Sequence, residues 1–219
     1  GAVLVGIILS TLVIGSCMNP HVATAGSDRR LQLDRIKREM HPLDLSRPYH
    51  PTDAIAHYFA YYGIAFEGAH HWFGTFDAGD QTLAAHLFIP EMPRGTCFLL
   101  HGYLDHAGTF KNVIAACLQE NFAVAIYDLP GHGLSTGERA AIGDFSEYVT
   151  TFQDFIAIGA DHLPPPFHLI GHSMGCAIAY EYMVHANPIL FEEIVFLAPL
   201  VRNAGWRWSI WGYRLAKPF

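Results

Sequence analysis

The sequence predicts one α/β domain: a mostly parallel sheet, opened by an antiparallel hairpin and covered by helices on both faces. Three observations predict it. From Thr96 to Leu197, short apolar runs of strand length alternate with runs of helix length, the pattern of parallel strands joined by crossover helices. Before them, His70 to Phe76 and Gln81 to Ile89 flank Asp77-Ala78-Gly79-Asp80, a hairpin signal. Finally, Gly171-His172-Ser173-Met174-Gly175 joins the apolar run Phe167 to Ile170 to a helical run ending at His185, the strand, sharp turn and helix in which such a pentapeptide is a nucleophile elbow. Glycine on either side of the serine removes side-chain collisions with nearby backbone and leaves Ser173 Oγ clear at the carboxyl edge of the sheet.

Composition limits what can be built on that turn. The 219 residues are 51% apolar and 15% charged, enough for one good core. A net charge of −7 and the lack of a long basic run give nucleic acid no footprint. The 14 histidines fall in no metal-ligand spacing, so no metal is expected.

Residues 1–25 read as an export signal. Ala2 to Ile14 is apolar apart from small residues and is too short for a comfortable membrane span. Two processing sites compete: Ile14-Gly15-Ser16-Cys17, which resembles a bacterial lipobox with Cys17 as the lipidated residue, and Ala23-Thr24-Ala25, which would release a soluble periplasmic or secreted product. The first would tether the protein to a membrane. Gly1 in place of Met and the lack of a basic lead-in imply that the true start lies upstream. Residues 26–66 read as a spacer with two short helices. Ser27-Asp28 caps the first, which carries Leu33, Ile36 and Met40 amid Arg29, Arg30, Arg35, Lys37 and Arg38, and Thr52 caps the second, Asp53 to Tyr62. Further elements are expected at Thr96–Leu100, Phe110–Gln119, Phe122–Tyr127, Ser146–Ala160, Phe167–Ile170, Met174–His185 and Ile194–Leu197. Without Cys17, the cysteines Cys97, Cys117 and Cys176 are odd in number and lie in apolar runs, so buried free thiols are expected.

Three strand ends carry marked sequences: His101-Gly102-Tyr103-Leu104-Asp105-His106, then Asp128-Leu129-Pro130-Gly131-His132-Gly133-Leu134-Ser135, then the elbow. In this order they resemble the α/β-hydrolase family, and within it the monoacylglycerol lipase and lysophospholipase branch, sometimes described as serine aminopeptidase-like. The resemblance runs from about His70 to Leu200. It implies an α/β-hydrolase fold whose N-terminal part occupies residues 67–200, with a lid beginning at 201–219. It implies that Ser173 attacks the carbonyl of a small lipid-like ester, a monoacylglycerol or lysophospholipid, forming an acyl-enzyme without cofactor. The backbone N–H groups of Met174 and Tyr103 would hold the oxyanion, supported by His101, Gly102, Gly171, His172 and Gly175. Family members often carry glycine where Leu104 stands.

Asp128 precedes the serine, whereas the family order is serine, acid, histidine, so Asp128 reads as a residue that fixes its loop. His172 is expected to face away from the reactive side of the serine, and His101 and His132 to be structural. Past Ser173 the one histidine is His185, twelve residues on and about 18 Å along a helix. The acids Glu181, Glu192 and Glu193 follow no later strand. Two readings therefore stand: a serine hydrolase whose triad acid and histidine lie beyond Phe219, or a non-catalytic binding protein using the same pocket. The aromatic run Trp206, Trp208, Trp211 and Tyr213 suits either a lid over an acyl chain or core packing.

Overall fold

A computed structural model describes residues 26–185 and 190–199. Cys17 and the aromatic run 206–213 lie outside the described residues. The elements are α1 (Gly26–Glu39), α2 (Asp53–Tyr62), β1 (Ala69–Ala78), β2 (Gln81–Pro90), β3 (Thr96–Leu100), a 3-10 turn (Ala107–Phe110), α3 (Lys111–Gln119), β4 (Ala123–Tyr127), α4 (Ser146–Ala160), β5 (Phe167–His172), α5 (Met174–His185) and β6 (Phe191–Leu197). The strands form one sheet in the order β1-β2-β4-β3-β5-β6. β1 and β2 pair antiparallel, as does β2 with β4, and the remaining pairings are parallel.

Each face of the sheet carries its own core because side chains alternate along a strand. On one face Phe98, Leu100 and Leu169 pack with Phe152 and Phe155 of α4 and Ile178 of α5. On the other, Leu99, Val124 and Ile170 pack with Ile114 of α3 and with Ile55 and Phe59 of α2. β3, β4 and β5 are buried on both faces apart from the half-buried His172, which is why they read as unbroken apolar runs rather than alternating ones.

The segment expected as a spacer is packed onto this sheet. Ile36 of α1 and Ile55, Tyr58 and Phe59 of α2 are buried in the second core. Between the two helices the chain runs beside β1: Leu43 N–H donates to the Thr75 carbonyl at 2.8 Å and Thr75 N–H to the His41 carbonyl at 2.8 Å. Thr52 caps α2 as expected, its hydroxyl accepting from Ile55 N–H at 3.5 Å. Ser27 and Asp28, expected to cap α1, lie inside the helix, which is already formed at Gly26. Among the described residues, Cys97, Cys117 and Cys176 are free and buried, as expected.

A pair of histidines links β1 and β2. His71 Nε2 and His86 Nδ1 are 3.0 Å apart, and His86 is fully buried among Phe59, Phe73 and Phe88. One ring donates to the other, which requires that the accepting ring be neutral. Burial pushes the His71 pKa down to about 3 and that of His86 well below the ordinary 6.5. The unfolded chain therefore binds protons below 6.5 that the folded chain refuses, so this contribution to stability is complete above pH 6.5 and drains away as pH falls towards the folded values. Each group changes stability by about 1.4 kcal/mol per pH unit in that window. The urea midpoint is expected to fall steadily from pH 6.5 to pH 4, with a shallower slope in a His71→Phe/His86→Leu variant. An equal slope in the two proteins would exclude the pair as its cause.

Candidate active site

The strand order reverses at β3: the chain moves from β3 out to β4 on one side and returns to β5 on the other. Open α/β sheets place ligands in the crevice beyond the carboxyl ends of the strands at such a point. The loops that follow β3, β4 and β5 meet there, and they are the three marked segments.

The elbow is built by direct contact between backbones. A β-carbon on Gly175 would lie 2.3 Å from the Leu100 carbonyl oxygen, and one on Gly171 would lie 2.8 Å from the Gly175 carbonyl oxygen. Without these side chains α5 can start directly against the ends of β3 and β5. Ser173 sits between them at φ 51°, a left-handed conformation that costs a non-glycine residue about 1–2 kcal/mol. The turn is tied down on both sides of the serine. Its N–H donates to the Leu197 carbonyl at 2.9 Å, and its carbonyl accepts from Cys176 N–H at 3.1 Å. Cys176 Sγ lies 3.0 Å from the Gly171 carbonyl, closing the same turn from within the helix.

The β3 loop lies against this turn, since a β-carbon on Gly102 would stand 3.3 Å from Ser173 Cβ. Buried His101 orients the loop. Its Nε2 accepts from Leu129 N–H at 2.9 Å, so the proton is on Nδ1, which donates to the Gly102 carbonyl at 2.8 Å. Burial holds the ring neutral by pushing its pKa down to about 4. Asp105 N–H adds a second bond to the Gly102 carbonyl at 3.2 Å. The Tyr103 N–H belongs to the same trans peptide group and therefore points the opposite way. Among the described residues, neither the Tyr103 amide nor the Met174 amide has an acceptor. The exposed Tyr103 ring is held at its far end, where the hydroxyl donates to the Ala140 carbonyl at 3.1 Å.

Leu104 adopts φ 60° and is exposed. The loop thus keeps a left-handed residue at the position where the resemblance implies glycine.

Asp128 fixes the loops, as expected from its place before the serine. Its Oδ1 accepts from Ala107 N–H at 2.7 Å and its Oδ2 from Leu134 N–H at 2.7 Å, both buried. One carboxylate thereby joins the β3 and β4 loops. His132 is structural as well, its Nδ1 donating to the Pro130 carbonyl at 2.8 Å.

The structure brings Ser173, Met174, Gly102, Tyr103 and His172 together and leaves the downstream acids and histidine apart. His185 is exposed at the far end of α5, paired with Glu181 at 2.9 Å. Glu192 and Glu193 begin β6, whose opposite end, Leu197, is in register with His172. Sequence reasoning assigned no role to Asp105, whose Oδ2 lies 3.9 Å from His172 Nδ1. The signal was present in the acidic position of the His-Gly-x-x-Asp-His segment. The His172 ring, expected to face away from the reactive side, is turned to this loop.

Two substitutions test the geometry. Gly175→Ala is expected to destabilise the protein by at least about 2 kcal/mol, because the clash is with backbone that has nowhere to move. Leu104→Gly should be neutral or stabilising by up to about 1 kcal/mol, because it relieves a left-handed residue that buries little. Denaturant unfolding measures both, and the reverse order of effects would contradict the backbone assignments.

The sequence model for the serine aminopeptidase S33 family matches residues 91–217, more than half of the chain. The monoacylglycerol lipase of Mycolicibacterium smegmatis is 40% identical over 110 residues, covering 50% of this chain and 39% of that protein. Mouse monoglyceride lipase is 33% identical over 127 residues, covering 57% of this chain and 42% of that one. The chain thus spans about two fifths of the length of these curated relatives. Among solved structures, the α/β hydrolase GrgF from Penicillium sp. sh18 superposes with a TM-score of 0.55 at 21% identity, covering 66% of this chain and 52% of that one, a likeness of fold. With strand-end loops, elbow and sheet order all in agreement, the chain belongs to the serine aminopeptidase S33 family of α/β-hydrolases, a monoacylglycerol lipase-like group.

Proposed function

We propose that this chain is the nucleophile-bearing part of a serine hydrolase that cleaves the acyl ester of a small lipid-like substrate, a monoacylglycerol or lysophospholipid. The observation that carries the reading is the pair of amides, Tyr103 and Met174, that have no acceptor among the described residues and lie beside a serine held at φ 51°. Ser173 Oγ attacks the ester carbonyl carbon as a base removes its proton. The carbonyl oxygen becomes an oxyanion and receives the two N–H bonds, which are worth most where charge develops. Collapse of the tetrahedral intermediate expels the alcohol, which takes up the proton. Water then cleaves the acyl-serine by the same route.

Among the described residues after Ser173, the one histidine, His185, is engaged with Glu181 far along α5 and out of reach of the serine. In this reading the base and its orienting acid are contributed by sequence outside these 219 residues, as the chain spans about two fifths of its relatives' length. The N-terminal apolar segment supports export, with a lipid on Cys17 or cleavage after Ala25 as the two routes. Mass spectrometry of the mature N-terminus separates them.

Labelling with a fluorophosphonate tests the hydrolase reading. The polypeptide extended through the acid and histidine is expected to label, and Ser173→Ala to abolish the signal. Equal labelling of the two, or none, would favour the binding-protein reading instead. Residues 1–219 alone are expected to hydrolyse a nitrophenyl ester no faster than their Ser173→Ala variant, and turnover above that background would show that the base is already present.

A further inference from the structure

The contact between Asp105 and His172 has no place in the nucleophilic chemistry, yet it joins the two segments on which that chemistry depends. Asp105 uses its groups in three directions. Its N–H holds the Gly102 carbonyl at 3.2 Å, the carbonyl of the peptide that presents the Tyr103 N–H. Its Oδ1 accepts from His106 N–H at 3.2 Å and from the Thr109 hydroxyl. Its Oδ2 is left facing His172 Nδ1 at 3.9 Å. On the other side, Nδ1 is the ring atom of His172 that is shut away from solvent without a hydrogen-bond partner. The Phe110 ring packs edge-on against the imidazole, 6.1 Å between centroids, and limits where that atom can point. A buried ring nitrogen without a partner among the described residues, beside a carboxylate oxygen, makes a pair that a small side-chain rotation completes, and leaving the nitrogen open costs its desolvation.

We infer that Asp105 is a positioning residue that holds the oxyanion loop against the nucleophile elbow by pairing with His172. The inference rests on the reading of Tyr103 and Met174 as oxyanion donors. His172 precedes Ser173 directly, and a β-carbon on Gly102 would lie 3.1 Å from His172 Nδ1. The pair therefore spans the seam between the two donors. Its effect is on transition-state geometry, where donors must sit within a few tenths of an ångström of the developing charge, so it should appear in kcat and leave KM nearly unchanged. A polar pair at a partly exposed site contributes little to stability in itself, which separates positioning from folding.

Two measurements decide it. In residues 1–219, the amide proton and nitrogen shifts of Tyr103 and Met174 are compared among wild type, Asp105→Asn, His172→Asn and the double variant. Asp105→Asn keeps an oxygen for the His106 and Thr109 bonds, so folding is preserved. Each single substitution should move both amides, and the double should move them no further than the single with the larger effect, because the two residues act as one unit. Independent, additive shifts, or no shift at all, would overturn the inference. In the extended polypeptide, ester hydrolysis by Asp105→Asn should show kcat reduced by about tenfold to a hundredfold with KM within about twofold, and Asp105→Glu should restore part of the loss. A rise in KM at constant kcat would also overturn it. If Ser173→Ala retains the activity of wild type, the hydrolase reading fails, and the amide shifts still report on the pair.

Discussion

Everything at the carboxyl edge of the sheet depends on how closely α5 approaches the ends of β3 and β5. The Gly175 backbone stands against the Leu100 carbonyl at a distance no β-carbon could share. That contact brings the helix start, with its Met174 amide, to the same point as the β3 loop. Were α5 to sit one methyl group further out, the Met174 N–H would no longer face the same space as the Tyr103 N–H, and the serine would lose its reason to be strained. The left-handed conformation at Ser173 follows from this constraint: the chain must reverse within one residue, and the bonds to the Leu197 carbonyl and from the Cys176 N–H hold it there.

The loops are then held by ligation of backbone groups rather than by apolar packing. Asp128 gives each of its side-chain oxygens one amide donor, from different loops, and is fully buried. His101 performs the matching task with one accepted and one donated bond, which works only for a single neutral tautomer. These are stringent arrangements, since each partner lost would strand a buried polar group. They give the mouth of the site a fixed shape although its lining is irregular chain.

Much of this could be read from the residues. α2, α4 and α5 and strand β3 match their expected limits to the residue, because caps, glycines or abrupt changes of polarity mark their ends. The elbow and the Asp128 role were legible for the same reason, as local chemistry at strand ends. Other limits were hidden by competing local signals. β6 begins at Phe191 rather than Ile194, since Glu192 and Glu193 interrupt the apolar run on the less buried part of the strand. Phe110 ends a 3-10 turn instead of opening α3, because the His106 side chain caps that turn through Gly108 N–H. Nor could periodicity show that residues 26–66 belong to the core: α1 buries Ile36 from a mostly charged sequence. Sheet order and the approach of Asp105 to His172 are properties of distant chain segments meeting, and no local pattern carries them.

The stretch between α1 and α2 has a further consequence for how copies of this molecule behave together. The outer side of β1 would otherwise offer a row of free amides and carbonyls, the template on which a strand from a neighbouring chain could add. The bonds between Thr75 and residues 41 and 43 occupy its middle, and Pro42, which has no amide proton, lies opposite. The molecule thus covers its own border at Thr75 with a strip of itself, so a strand from a neighbouring molecule cannot pair with that residue.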